Sequence, residues 1–314
     1  RGMRAVKYGT TRDYVRAMTV VLPTGEIVKL GATVSKTSSG YSLLNLMIGS
    51  EGTLGVITEL TLKLIPQPKA VISLIIPYET LEDCIATVPQ FFMNHLHPQA
   101  LEFMEKDVVM DTEKFLGKKV YPKEMEGVEV GAYLLATFDG DSEEQLEDII
   151  EAASEVVLEA GAIDVLVADT PALKRDAWAV AIEADTVLLD ECDVVVPTNK
   201  IAEFLTYTKS LEAEADFRVK SFGHAGDGNL HIYTCSNDMQ EEEFRKQVSV
   251  FMKKVYEKAT EFGGLISGEH GIGHGKLDYL AESVGPVSMR IMEGVKTVFD
   301  PNMILNPGKV CYKL

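Results

Sequence analysis

The chain has 314 residues, is 46% hydrophobic and carries a formal net charge of -18, which is enough length and apolar content for one large or two ordinary domains with sizeable cores. That acidity, with no basic run to offset it, argues against nucleic acid or an anionic membrane surface as a partner, because both need clustered Lys and Arg. No uninterrupted apolar stretch approaches about 18 residues, so no transmembrane segment is read, and the start lacks the charged and apolar regions of a secretory signal.

The sequence begins at Arg1 without a methionine and enters apparent strand almost at once, so it reads as a fragment or a processed chain. Met18 to Leu22 and Ile27 to Leu30 are short apolar runs joined by Pro23-Thr24-Gly25-Glu26, which predicts a hairpin. A polar loop, Lys36 to Tyr41, leads to a short helical turn at Leu43 to Ile48. Next comes Gly49-Ser50-Glu51-Gly52-Thr53-Leu54-Gly55-Val56-Ile57. Three glycines in seven residues before a β-branched run fit a backbone that passes close to a phosphate or a flat ring edge. They fit an ordinary turn before a strand equally well. Pro66-Gln67-Pro68 marks a boundary.

Beyond it, strand and helix units repeat. Val71 to Ile76, a helix from about Glu79 to Met93 with Pro89 as kink or stop, and Ala100 to Met104 form one. Val130 to Phe138, the helix Ser142 to Ala160 and Ala162 to Val167 form another. The pair predicts an α+β, ferredoxin-like cap. Glu105 to Val128, rich in Lys, Glu and Gly, reads as a loop or small insertion. Pro171 to Ala184 reads as helix, with Arg175 and Trp178 on neighbouring positions. A strand at Val194 to Val196 and helices at Ile201 to Ala213 and Glu241 to Phe262 follow, the last with an apolar stripe and a Gly263-Gly264 stop. A short helix, Val287 to Phe299, precedes the closing turn Leu305 to Lys309. The four cysteines, Cys84, Cys192, Cys235 and Cys311, are scattered without a Cys-x-x-Cys pair. That argues against an iron-sulfur cluster or zinc knuckle in this chain and fits a reducing cytoplasm.

Four of the six histidines fall in two stretches, Gly223 to His231 and Ser267 to Lys276. In the first, Ala225-Gly226-Asp227-Gly228-Asn229 separates two apolar runs and predicts a tight hairpin. A turn centred near Asp227 would make His224 and His231 cross-strand neighbours, with Cβ atoms roughly 5 Å apart. Two such imidazoles can share one metal ion at about 2.0 to 2.1 Å per bond. Glu269, in a glycine-rich loop beside another histidine, is the candidate third ligand. Two histidines and one glutamate leave coordination positions open, as catalytic sites do, and His270 is then free to act as a base. The plainer reading is that these histidines cap turns. His95 and His97 have no such company.

The order of these motifs carries more information than any one of them. Lys7-Tyr8-Gly9, Gly49 to Gly55, Asp193 to Pro197, the His224 to His231 hairpin, Glu269 to Gly273 and Asn306-Pro307-Gly308-Lys309 together resemble the FAD-linked oxidase family, in its glycolate oxidase and D-lactate dehydrogenase branch. The resemblance implies the C-terminal part of a flavin-binding domain with a ferredoxin-like cap: residues 1–68 the remainder of the flavin domain, 69–264 the cap, and 265–314 a segment completing the site. It implies FAD lined by Ser50, Glu51, Gly52, Thr53, Gly55 and Ile57 and approached by Asn306. A divalent metal (zinc, iron or manganese) would be held by His224, His231 and Glu269, with His270 taking the hydroxyl proton of a small 2-hydroxy acid while the α-hydrogen passes as hydride to flavin N5. Arg175 lies about where the family carries a carboxylate-binding arginine, although Leu173 to Trp178 departs from the usual tryptophan-before-arginine order. The family's pyrophosphate loop lies upstream of the residues present here, so a whole flavin site is expected only with further polypeptide.

The expected function is a flavin-dependent 2-hydroxy acid dehydrogenase that passes electrons to an electron-transfer protein or an iron-sulfur subunit. A metal-dependent hydrolase on the same ligands and a non-catalytic part of a redox complex are the competing classes. Nicotinamide chemistry is disfavoured because Gly271 to Gly275 has the wrong spacing for Gly-x-Gly-x-x-Gly.

Overall fold

A computed structural model describes residues 2–168 and 187–311. The helix expected at Pro171 to Ala184, with Arg175, lies outside the described residues. Two compact units form. One is Gly9–Pro66 with His270–Leu314; the other joins the segment ending at Tyr8 to Gln67–Glu269. Glu269 thus closes one unit and His270 opens the other.

In the first unit, β1 (Val15–Val21), β2 (Ile27–Gly31) and β3 (Val56–Leu62) form an antiparallel sheet of order β2-β1-β3. The expected hairpin is present: Met18 pairs Leu30 and Val20 pairs Val28. Its turn closes with Gly25 donating its N–H to Leu22 O at 2.9 Å, and Gly25 holds φ 86°, where a side chain would be strained. Val15, Met18, Val20, Leu30, Met47 and Leu54 make the core, with Val295 and Phe299 packed on it; each such side chain, fully buried, stabilises by roughly 1.5–3 kcal/mol. The tail holds two helical stretches within Leu277–Phe299, separated at Gly285 (φ 76°, ψ 170°) before Pro286; the second is the expected helix ending at Phe299, and the first, from Leu277, was not expected. Read along the sequence, that Gly-Pro pair looks like a start signal and hides the turns before it.

In the second unit, β4 (Ala70–Tyr78), β5 (Ala100–Glu105), β6 (Glu124–Met125), β7 (Val128–Glu129), β8 (Ala132–Gly140), β9 (Leu166–Ala168), β10 (Leu188–Val195), β11 (Arg218–His224) and β12 (Asn229–Ser236) follow in chain order. Seven of them make one sheet, β10-β12-β11-β5-β8-β4-β9. The stretch β9-β4-β8-β5 is the ferredoxin-like order that two β-α-β units predict. The histidine hairpin, β11 and β12, extends that same sheet beyond β5, with β10 outermost. β10 begins well before Val194, because Asp190, Glu191 and Asp193 interrupt its apolar pattern and disguise it.

Alternation of side chains gives the sheet two faces. One is packed by helices, including Leu81–Met93, Glu143–Glu159, Ile201–Ser210 and Glu241–Glu261; Phe91 and Phe138 meet there at 6.2 Å, and Phe217 meets Phe251 at 5.5 Å. Pro89 sits inside a continuous helix and does not stop it. The other face carries Ile75, Met104, Tyr133 and Leu135. It is covered in part by a helix, Lys106–Leu116, and the β6–β7 hairpin. Of the two readings of Glu105 to Val128, a loop or a small insertion, the structure has the insertion. Its charged residues are structural fixtures: Glu113 accepts the N–H groups of Val120 (2.7 Å) and Tyr121 (2.8 Å) and pairs with Lys123 at 2.8 Å. No helix among the described residues is long and apolar enough to cross a membrane.

Candidate metal and flavin sites

The turn between β11 and β12 is four residues, with His224 O accepting the N–H groups of Asp227 (3.2 Å) and Gly228 (3.0 Å). His224 therefore opposes Asn229, and His231 opposes Phe222. The two histidines are diagonal rather than directly opposed, which corrects the expected pairing; a turn of six residues would have been needed to set them face to face. They still share a sheet face, and their rings meet edge to face at 5.3 Å.

Glu269 completes the group. Its Oε1 lies 3.4 Å from His224 Nε2 and 3.4 Å from His231 Nε2, and all three donors fall within 4.8 Å of one another. A tetrahedral ion with bonds of about 2.0–2.1 Å has donor-to-donor edges of roughly 3.3 Å. These separations, and the mixed nitrogen and oxygen set, fit such an ion. The far ring nitrogens are held too: both oxygens of Glu102 lie 2.7 Å from His224 Nδ1, and Glu191 Oε1 lies 3.1 Å from His231 Nδ1. Carboxylates behind metal-facing imidazoles orient the rings and raise their basicity.

Electrostatics follow from this crowding. Burial alone would lower His224, but the Glu102 hydrogen bond and charge, with Asp227 and Glu269, outweigh it and push the imidazole up to about 9. Burial pushes the carboxyls of Glu102 and Asp227 up, against the histidines' pull. Burial also acts to raise Glu269, yet the Gly2 N–H, which donates to Oε2 at 2.7 Å, and the histidine charges hold it below the ordinary carboxylate range.

The glycine-rich loop organises the other unit. Glu51 (φ 52°) and Gly52 (φ 72°) adopt left-handed backbone. The Glu51 carboxylate accepts the N–H groups of Ile272 (2.8 Å) and Gly273 (2.7 Å), and Asn306 Nδ2 donates to Glu51 O at 2.5 Å. Thr53 bonds Ser50 O through its hydroxyl at 2.7 Å. Ser50, Glu51, Gly52, Thr53 and Asn306 are therefore brought together. Gly55 instead packs on Val20, and Ile57 lies in β3 opposite Val20, 41% exposed.

Lys296 carries no mark in the sequence. The residue is 1% exposed, and its Nζ donates to Thr53 O (2.7 Å), Leu305 O (2.8 Å) and Asp300 Oδ2 (2.5 Å), tying the glycine loop to the tail. Lys296 and Asp300, four apart on a helix, look in sequence like a surface pair. Glu102 and Glu191 are equally unmarked. His270 directly follows Glu269 in the chain and is exposed.

The fold is therefore an α+β sheet with a ferredoxin-like core, extended by a hairpin that carries two histidines toward a glutamate. Residues 67–310 match the FAD linked oxidases, C-terminal domain, and the chain belongs to that oxidoreductase family. It is 89% identical to D-lactate dehydrogenase of Anaerostipes hadrus, covering 100% of this chain and 67% of that protein. It is 39% identical to D-lactate dehydrogenase of Archaeoglobus fulgidus (100% and 68%) and 35% identical to Glycolate oxidase subunit GlcD of Bacillus subtilis (99% and 66%). The chain thus spans about two thirds of the length of these relatives. Among solved structures, 4-ethylphenol oxidase from Gulosibacter chungangensis shares the fold at TM-score 0.68 and 18% identity, over 99% of this chain and 69% of that one.

Proposed function

We propose that this chain is the greater part of an FAD-dependent dehydrogenase that oxidises a D-2-hydroxy acid of the lactate or glycolate type to its 2-oxo acid. The carrying observation is the convergence of His224, His231 and Glu269, with both outer ring nitrogens backed by carboxylates, in a chain of the FAD-linked oxidase family. Family membership and the relatives' names favour this over the metal-dependent hydrolase reading.

Bound FAD supplies the two-electron acceptor, and a divalent ion (zinc, iron or manganese) supplies Lewis acidity for the substrate hydroxyl. His224, His231 and Glu269 would hold the ion through three donors, fewer than such ions take, so that the substrate hydroxyl could bind it as well. His270 would accept the hydroxyl proton as general base. Arg175, outside the described residues, binds the substrate carboxylate as a guanidinium fork. Ser50, Glu51, Gly52, Thr53 and Asn306 would hold the flavin, with Gly55 and Ile57 where the loop enters β3. An electron-transfer protein or iron-sulfur subunit takes the electrons, and the net charge of -18 suits a basic partner. Scattered, buried cysteines suit a reducing cytoplasm.

The test is the visible spectrum of the full-length protein before and after anaerobic D-lactate. Bleaching of oxidised-flavin bands supports the reading, and a protein that stays colourless after reconstitution with FAD removes it. His270→Ala should retain flavin and slow its reduction by roughly 100-fold or more; normal reduction kinetics would take the base role from His270.

A further inference from the structure

The sheet face that carries Glu102 is otherwise built for an apolar core. Met104 stands two residues along β5, Leu135 lies directly across on β8, and both belong to a buried cluster with Ile75, Val109 and Tyr133. Glu102 itself is 7% exposed. A carboxylate in such a place costs several kcal/mol unless it is paired. Its partner is His224, whose Cα it opposes in the β5–β11 register, so the backbone sets the contact and no long side chain has to reach for it. Both carboxylate oxygens lie 2.7 Å from Nδ1. With that edge of the ring closed, Nε2 is the nitrogen left facing Glu269, at 3.4 Å.

We infer that Glu102 is a positioning residue that fixes the rotation and tautomer of His224, so that Nε2 is presented as the donor to the divalent ion. This rests on the metal reading given above. Glu191 backs His231 in the same sense but more loosely, through one oxygen at 3.1 Å, with its side chain 29% exposed. The two carboxylates are therefore unequal, and Glu102 carries the larger share of the metal site's order. Its location explains why a strand from the ferredoxin-like core and a hairpin 122 residues away have to be adjacent in one sheet.

The experiment uses the full-length, flavin-loaded protein, stripped of metal and titrated with Co2+, whose visible d–d absorption reports ligand type and geometry. Glu102→Gln keeps the shape and removes the charge. It should weaken Co2+ binding by roughly 10–100-fold and change the d–d band, with flavin content unchanged. Glu191→Gln should cost less than Glu102→Gln. Affinity in Glu102→Gln within about threefold of wild type, or a larger loss in Glu191→Gln, overturns the inference. Wild-type protein that takes up no Co2+, or takes it up equally after His224→Ala, overturns the metal reading itself and is recognised separately. If Glu102→Gln loses its circular dichroism, Glu102→Asp carries the test. That variant keeps the charge on a shorter stem; intermediate affinity is expected, and wild-type affinity overturns the inference.

Discussion

Asp193 Oδ2 accepts the backbone N–H of Glu269 at 3.1 Å. The same oxygen takes the Gly268 N–H at 3.1 Å and the Ser267 hydroxyl at 2.8 Å, while Oδ1 takes the Asn229 amide at 2.6 Å. One buried carboxylate on β10 thus pins the loop that delivers Glu269 to the two histidines. The loop's glycines give it no stiffness of their own, so its order comes from these bonds.

Asp193→Asn replaces an acceptor with a group that also donates, leaving N–H groups of the 267–269 loop without partners. A loss of roughly 1–3 kcal/mol in stability and at least about 10-fold in Co2+ affinity is expected, read by urea unfolding and by metal titration. Wild-type metal affinity in a folded Asp193→Asn protein would show that the loop holds Glu269 without it.

Lys296→Met leaves Asp300 buried and uncompensated, which costs about 3–5 kcal/mol for a buried pair broken on one side. It also frees Thr53 O and Leu305 O, so the glycine loop loosens and FAD retention should fall. Ultrafiltration of the full-length variant measures this. Combining Lys296→Met with Asp300→Asn should recover part of the lost stability, because the orphaned charge is gone; additive losses would deny the coupling.

Asp300 gives a pH signature. Burial works to raise its carboxyl, but Lys296 and the N–H groups of Leu305 and Ile304 outweigh that and hold it below the ordinary range. A folded value below the unfolded one of about 3.9 means the contribution is complete above the unfolded value and is lost as pH falls through the depressed folded value. Melting temperature against pH should therefore fall less steeply in Asp300→Asn than in wild type in the range below about pH 4. Parallel curves there would assign the acid sensitivity to other groups.

Gly228→Ala tests the hairpin. Gly228 has φ 83°, its carbonyl accepts the Val196 N–H at 3.0 Å, and a Cβ would press on Val196 O. The left-handed backbone alone costs an alanine about 1–2 kcal/mol, and the contact adds to it. Denaturant titration should show at least that loss, together with weaker Co2+ binding; an unchanged midpoint would mean the turn re-forms with another shape.

The turn at Ala225 to Gly228 was legible in the sequence because it depends on neighbours: glycine and aspartate choose the turn. The ferredoxin-like units were legible for the same reason, since a strand, a helical stripe and a stop recur at short range. The diagonal offset of His224 and His231 was not, because one residue more or fewer in a turn shifts the register and only the closed hydrogen bonds decide the count. Nor were Glu102 and Glu191 legible as supports for the histidines, since a lone glutamate on a strand carries no mark of what lies across from it. Lys296 is the sharpest case. Written out, it is one more helix lysine near an aspartate, and only the fold, by closing the glycine loop and the tail around it, removes the water and makes its hydrogen bonds a structural requirement. The sequence determined which local pieces form and which donors are available; the tertiary structure decided which strands are neighbours, and with that which carboxylate stands behind which imidazole.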